Sequence, residues 1–323
     1  STATPSLANS FATELYTGNG GTQAVTGLGF KPDLVWTKGR NDVATTEHHR
    51  WTDSVRGILL ALKSDSSGAQ ESRTGGVQSF DSDGFTLGND GSYNFNGMNA
   101  VSWNWKAGGT PSINTDGTIT SIVSANEAAG FSIVSYIGAS GTVGHGLGSA
   151  PEIIFIKVTN TADNWVVYNN TIGATKALFL DLTNTPSTNS TYFNNTNPSS
   201  SVFTLGTGFN NSNNYIAYCF TSISGYSKVG TYTGTGVAGE AGSLVNVGFL
   251  PQFVVVKRTD AVNSWVVSST LLGYNDIYWN LNSTQFASGT LYGAHYTSSG
   301  FFFNTADGSR NASGATYIYM AIA

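Results

Sequence analysis

Residues Gly29–Lys38 read GFKPDLVWTK; the phrase returns as GSAPEIIFIK at Gly148–Lys157 and as GFLPQFVVVK at Gly248–Lys257. Each copy holds a short apolar run: Leu34-Val35-Trp36, Ile153-Ile154-Phe155-Ile156 and Phe253-Val254-Val255-Val256. The runs are rich in β-branched and aromatic residues, follow a Pro and end at a Lys. They predict a strand buried on both faces, with the Pro at its start, where a missing N–H does least harm.

Alternating segments accompany these runs. In VSWNW, Val101, Trp103 and Trp105 share one face; so do Ile216, Tyr218 and Phe220 in IAYCF, and Ile318, Met320 and Ile322 in IYMAI. A period of two means a strand. No stretch sustains a helical period beyond a turn or so, apart from a weak pattern at Ile58–Lys63. Clusters of Gly, Asn and Ser punctuate the chain at the spacing of an all-β sandwich or barrel.

The phrase belongs to a longer unit with a fixed order. First comes Tyr-x-Gly, at Tyr16, Tyr136 and Tyr232, and then the Pro-led strand. Trp51, Trp165 and Trp265 follow, then segments around Leu62, Leu182 and Leu281. GFTLG from Gly84, VFTLG from Val202 and GFFFN from Gly300 lead into the alternating strand. A repeated order is the signature of tandem copies. The expected architecture is all-β: three tandem antiparallel β-sandwich, jelly-roll-like domains at 11–108, 131–225 and 226–323, with linkers at 1–10 and 109–130.

Of the 323 residues 40% are hydrophobic, enough to bury real cores, and only 10% are charged. The polar surface is therefore built from Asn, Ser, Thr and Gly. A net charge of −5 argues against nucleic acid as a partner. No apolar run is long enough for a membrane-spanning helix, and no charged-then-apolar leader is visible. The lone Cys219 excludes an intrachain disulfide and fits synthesis in a reducing cytoplasm.

Catalytic and metal motifs are missing from the sequence. His48-His49, near Glu47 and Asp53, read as exposed loop histidines, because a metal site needs three or four converging ligands. Asp81–Gly84, DSDG, reads as a turn, not a calcium loop. Asp33, Glu152 and Gln252 share one repeat position, and the Gln breaks a catalytic reading of it. No cofactor, metal or catalytic residue is expected.

Positions common to the three copies belong to the scaffold, and Trp51, Trp165 and Trp265 are assigned to core packing. Copy-specific loop aromatics are the candidates for recognition: Tyr93, Phe95, Tyr192, Phe193, Tyr274, Tyr292 and Tyr296. Aromatic rings among amides and hydroxyls suit sugars, since a ring covers the C–H face while amides bond the hydroxyls.

The stretches YTGNGGTQAVTGLGFKPDLVWTK, DGFTLGNDGSYNFNGMNAVSWNWKAGGT, ITSIVSANEAAGFSIVSYIG, YIAYCFTSISGYSKVGTYTGTG and ASGATYIYMAIA cover most of Phe11–Ala323. Together they resemble a family of repeated β-rich domains in structural proteins of tailed bacteriophages, particularly of marine and cyanobacterial hosts. The resemblance implies a non-enzymatic virion component made in the bacterial cytoplasm. Its expected place is a tail fibre or appendage that contributes to attachment to host-surface glycans. The alternatives are a capsid decoration or a tail or baseplate protein with no receptor role, and, further off, a carbohydrate-active enzyme. Analogy adds a homo-oligomer, a trimer, and other virion proteins as partners, with no nucleic acid and no membrane insertion. Members often carry further N-terminal regions, so the chain is compatible with a segment of a longer protein.

Overall fold

The computed structural model describes residues 9–41, 48–285 and 292–323. The first unit holds β1 (Phe11–Thr17), β2 (Gln23–Thr26), β3 (Leu34–Gly39), β4 (Arg50–Asp53), β5 (Leu60–Ala61), β6 (Glu71–Ser72), β7 (Val77–Asp81), β8 (Gly84–Leu87) and β9 (Asn99–Trp105). β10 (Ser112–Asn114) and β11 (Ser121–Asn126) follow. The second unit holds β12 (Phe131–Ile137), β13 (Gly141–Gly144), β14 (Ile153–Val158), β15 (Val166–Asn169), β16 (Lys176–Phe179), β17 (Ser187–Thr188), β18 (Val202–Leu205) and β19 (Asn214–Phe220). The third holds β20 (Ser227–Thr233), β21 (Val245–Asn246), β22 (Phe253–Arg258), β23 (Trp265–Ser269), β24 (Asp276–Tyr278), β25 (Ala294–Thr297), β26 (Gly300–Phe303) and β27 (Thr316–Ile322).

The protein is all-β and its sheets are antiparallel. Each unit builds a main sheet with the same strand order: β1-β9-β3-β4, β12-β19-β14-β15-β16 and β20-β27-β22-β23-β24. Each also builds a small outer sheet: β2-β8-β7, β13-β18 and β21-β26-β25. The repeated glycine of GFTLG and GFFFN has a steric reason. A Cβ on Gly84 would stand 1.9 Å from the Val25 carbonyl oxygen, and one on Gly300 2.0 Å from that of Val245. The stretch expected as a linker is structured: β10 and β11 form a hairpin that extends the second main sheet beyond β12.

The alternation sorts side chains between two sides of each main sheet. Val35, Ile154 and Val254 point outward and pack under their own small sheets in three separate clusters. Leu34 and Trp36, Ile153 and Phe155, and Phe253 and Val255 point inward, and all join one cluster. Each unit thus keeps a core of its own between its two sheets and shares a further one with the other two units. Three two-layered units turn their inner faces onto a common centre. All seven tryptophans lie in that cluster. Trp36 stacks on Trp279 at 4.7 Å, Trp51 meets Trp165 at 5.3 Å, and Phe155 meets Trp265 at 6.3 Å, so every pair of units touches through aromatic rings. Burying so many rings supplies the main driving force for the arrangement.

Polar bonds lock the same arrangement in a closed cycle. Trp165 Nε1 donates to the Lys63 carbonyl at 2.8 Å, and Trp265 Nε1 to the Phe179 carbonyl at 2.9 Å. His49 Nε2 meets the Tyr278 carbonyl at 2.9 Å. The three phrase-ending lysines repeat the pattern. Lys157 Nζ donates to Ser67 O at 3.1 Å, Lys257 Nζ to Thr183 O at 3.1 Å and Lys38 Nζ to Asn282 O at 3.4 Å. Second reaches to first, third to second, and first back to third.

The pairing registers correct the sequence alignment at two places. Trp51 pairs with Trp36, as Val167 pairs with Phe155 and Val267 with Val255. His49, not Trp51, is thus the counterpart of Trp165 and Trp265. Likewise the core positions beside β15 and β23 are Leu178 and Ile277, because Leu281 is exposed and Leu182 only half-buried.

Candidate functional site

Of the seven aromatic candidates, several fold back on their own unit. Tyr93 is 1% exposed, lies in the outer cluster of the first unit and shares a hydrogen bond of 3.1 Å with Thr52 Oγ1. It sits on a helical turn at Gly91–Asn94, capped by the Asp90 carboxylate, which accepts from Ser92 N. With its ring inward, Tyr93 plugs the unit and is not presented to solvent. Phe193 is buried in the second unit's outer cluster, and Tyr192 leans on Phe179 and Phe209 beside it. Tyr296 is half-buried against the third unit's outer cluster. For Tyr93 and Phe193 burial rules out the direct surface contact expected of them.

Phe95 and Tyr274 are exposed, at 39% and 51%. Phe95 stands in the first unit and Tyr274 in the third, so they do not form one site. Tyr274 is the better placed. Its ring stacks on His295 at 4.1 Å and 19°, and His295 stacks on Phe302 at 5.0 Å and 24°. Asn304 Nδ2 lies 3.1 Å from His295 Nε2. One face of Tyr274 is therefore braced from below while much of the ring meets solvent. A ring already ordered loses little conformational freedom when a ligand settles on it. Tyr292 has the Arg310 guanidinium 5.6 Å from its ring centre. Arg310 is itself buried and bonded to Asp276 and Asp307.

Several of the remaining acids and histidines have structural partners. Asp33 accepts from Ser54 Oγ and from Ala107 N, both at 2.8 Å, and Glu152 accepts from Ser222 N at 2.8 Å. Each thereby holds the chain two residues past the closing strand of its unit. That explains why acids recur at this repeat position. Asp53 accepts from Arg56 Nε at 2.6 Å and from Tyr218 OH at 2.7 Å, a buried tie between the first two units. Asp83, in the DSDG turn, accepts from Gly27 N and Gly29 N.

The two adjacent histidines part company. His48 meets Asp65 at 2.5 Å near the surface. His49 is fully buried, contrary to the loop reading, and its Nδ1 accepts from Trp36 Nε1 at 2.9 Å. Burial holds its pKa down at about 3. It stays neutral and serves as a polar strut. Burial likewise pulls Lys157 and Lys257 down to about 8. Glu47 lies outside the described residues.

Among the described residues no group of three or more His, Cys, Asp or Glu side chains is placed to hold a metal ion, and no helix is long and apolar enough to cross a membrane. A cleft of about 1050 Å³ runs between the first unit and the hairpin and is lined by Lys31, Asp33, Lys106 and Glu127. Its one buried acid, Asp33, already has both oxygens engaged.

The chain belongs to the family described as a domain of unknown function (DUF7483), which its sequence matches over residues 6–323, a single span that takes in all three units. Comparison with curated proteins and with solved structures finds no match.

Proposed function

We propose that the protein is a structural component of a tailed-phage virion, carried on a fibre or other appendage and contributing to contact with host-surface glycans. The reading starts from the sequence resemblance and from the near-neutral surface of Asn, Ser, Thr and Gly. The observation that carries its attachment half is the braced, half-exposed ring of Tyr274 above His295 and Phe302. The closed cycle of three units gives such a surface a rigid mount. It also bears on oligomerisation: three units of one chain supply the three-fold arrangement that analogy assigns to three chains. The reading is non-enzymatic. The acids of the repeat hold backbone N–H groups, and a carboxylate pair across an open cleft would be needed for glycoside hydrolysis.

A second reading, a capsid or tail structural protein with no receptor role, is favoured by the burial of Tyr93 and Phe193. Negative-stain images of virions labelled with antibody against this chain decide between head and tail. Adsorption in the presence of the purified protein decides on attachment. Labelled tails and competed adsorption are expected. Labelled heads with adsorption untouched leave the second reading.

A further inference from the structure

At two of the three seams between units a glutamine N–H closes onto a carbonyl of the neighbouring unit; the third keeps a bond from Asn263 N to Thr183 O at 3.0 Å but lacks this one. Gln70 N donates to Thr159 O at 2.9 Å where the first unit meets the second. Gln285 N donates to Arg40 O at 3.1 Å where the third meets the first. Each glutamine lies seven residues past a carbonyl of the locking cycle, that of Lys63 or Tyr278. The same step from Phe179 arrives at Pro186. Proline has no N–H to give. Among the described residues no backbone donor meets the carbonyl of Thr259, the counterpart of Thr159 and Arg40.

Where the bond is missing, a cleft of about 420 Å³ opens between the second and third units, lined by Ile172, Lys176, Thr185, Pro186, Thr259 and Asp260. Its size is in the range of small-molecule sites. Ile172 and Pro186 offer an apolar wall. The Thr185 hydroxyl and the Thr259 carbonyl offer hydrogen bonds without charge, while the Thr259 hydroxyl is engaged with Thr316 at 2.8 Å. Lys176 and Asp260 are of opposite sign, and Asp260 is drawn to Arg258 at 2.8 Å. The lining as a whole is neutral, so it selects neither an anion nor a cation. A ring with an apolar C–H face and several hydroxyls matches both kinds of wall.

We propose that the cleft at this seam, where Pro186 stands in place of a backbone donor, is a binding site for one neutral sugar ring. The proposal deepens the attachment reading and rests on it only for the choice of ligand. The test is titration of the full chain with D-glucose, D-galactose, D-mannose and N-acetyl-D-glucosamine, followed by amide chemical shifts. Dextran, in parallel, separates a free monosaccharide from a ring within a chain. At least one probe is expected to give saturable shifts at Lys176, Thr185 and Thr259. Pro186→Gln, which copies the other two seams, should weaken them by about tenfold or more. Lys176→Ala, which leaves the seam backbone alone, should weaken binding as well and keeps the test alive if Pro186→Gln misfolds. Shifts undiminished in both variants, or no saturable shift at the seam with any probe, overturn the site. Shifts confined to the surroundings of Tyr274 overturn it too, while leaving attachment in place. Seam binding by a chain that labels no virion would sink attachment and keep the site.

Discussion

His49 Nε2 lies 2.9 Å from the carbonyl oxygen of Tyr278, and this contact joins the first unit to the third. Its counterparts, the indoles of Trp165 and Trp265, make the same bond with a group that cannot take up a proton. One link of the cycle is therefore sensitive to acid and two are not.

The buried imidazole is held neutral in the folded chain, at about 3, while in the unfolded chain it titrates at ~6.5. Below that higher value the unfolded state binds the extra proton, so the histidine's contribution is complete above ~6.5 and declines as pH falls toward 3. His49→Gln should lower stability at pH 7 by roughly 1–3 kcal/mol and flatten the urea-denaturation profile between about pH 6.5 and 4.5. An unchanged slope in that window would mean that His49 titrates normally.

Lys157 and Lys257 act at the other end of the pH scale. Burial lowers both to about 8, against ~10.5 in the unfolded chain. Below 8 both states carry the proton; between about 8 and 10 the folded state releases it first, so stability should rise with pH. Above ~10 unfolded tyrosines ionise while Tyr168, pushed to about 12, does not, and the gain should reverse. The double variant Lys157→Met, Lys257→Met should lose the rise. A wild-type profile that is level from pH 8 to 10 would refute it.

Tyr93 and Tyr274 should behave oppositely. Tyr93→Ala empties a core position and should cost about 3–5 kcal/mol, with adsorption per folded molecule unaltered. Tyr274→Ala removes an exposed ring and should cost about 1 kcal/mol or less while weakening adsorption. Thermal melts alongside a competition assay read both quantities. Equal destabilisation by the two changes would contradict the burial difference.

A single unit should not fold by itself. Residues 226–323 expressed alone would leave Phe253, Val255, Trp265, Trp279, Ile318 and Met320 facing water. No cooperative monomeric transition is expected by circular dichroism and sedimentation. A sharp two-state melt as a monomer would restore the picture of independent sandwiches.

Much of this was legible in the residues themselves. The alternation of Val101, Trp103 and Trp105 named an inner face, and the continuous runs named strands buried on both sides. That second signal held more than an expectation of separate sandwiches allowed for. A sandwich of two sheets hides one face of each, whereas β3, β14 and β22 are hidden on both faces, which requires a third layer. The neighbouring units provide it.

The misreadings have local causes. His49 was misplaced because Trp51 attracted the alignment; counting back from the pairing partner of Trp36 recovers it. Tyr93 was misjudged because a loop specific to one copy can be specific in how it closes its own unit. Asp90 ahead of the turn is a capping residue, which marks an ordered turn where the copy-specific reading took an open loop. The role of Pro186 follows only from the folded cycle, in which Gln70 and Gln285 hold the corresponding places.

Every indole in the molecule reports from the same small volume. Intrinsic fluorescence will consequently register whether the ring as a whole is shut, and will stay silent about which third of it gave way first. Tracking one third at a time calls for probes in the outer clusters, where Tyr93, Tyr136 and Tyr317 lie.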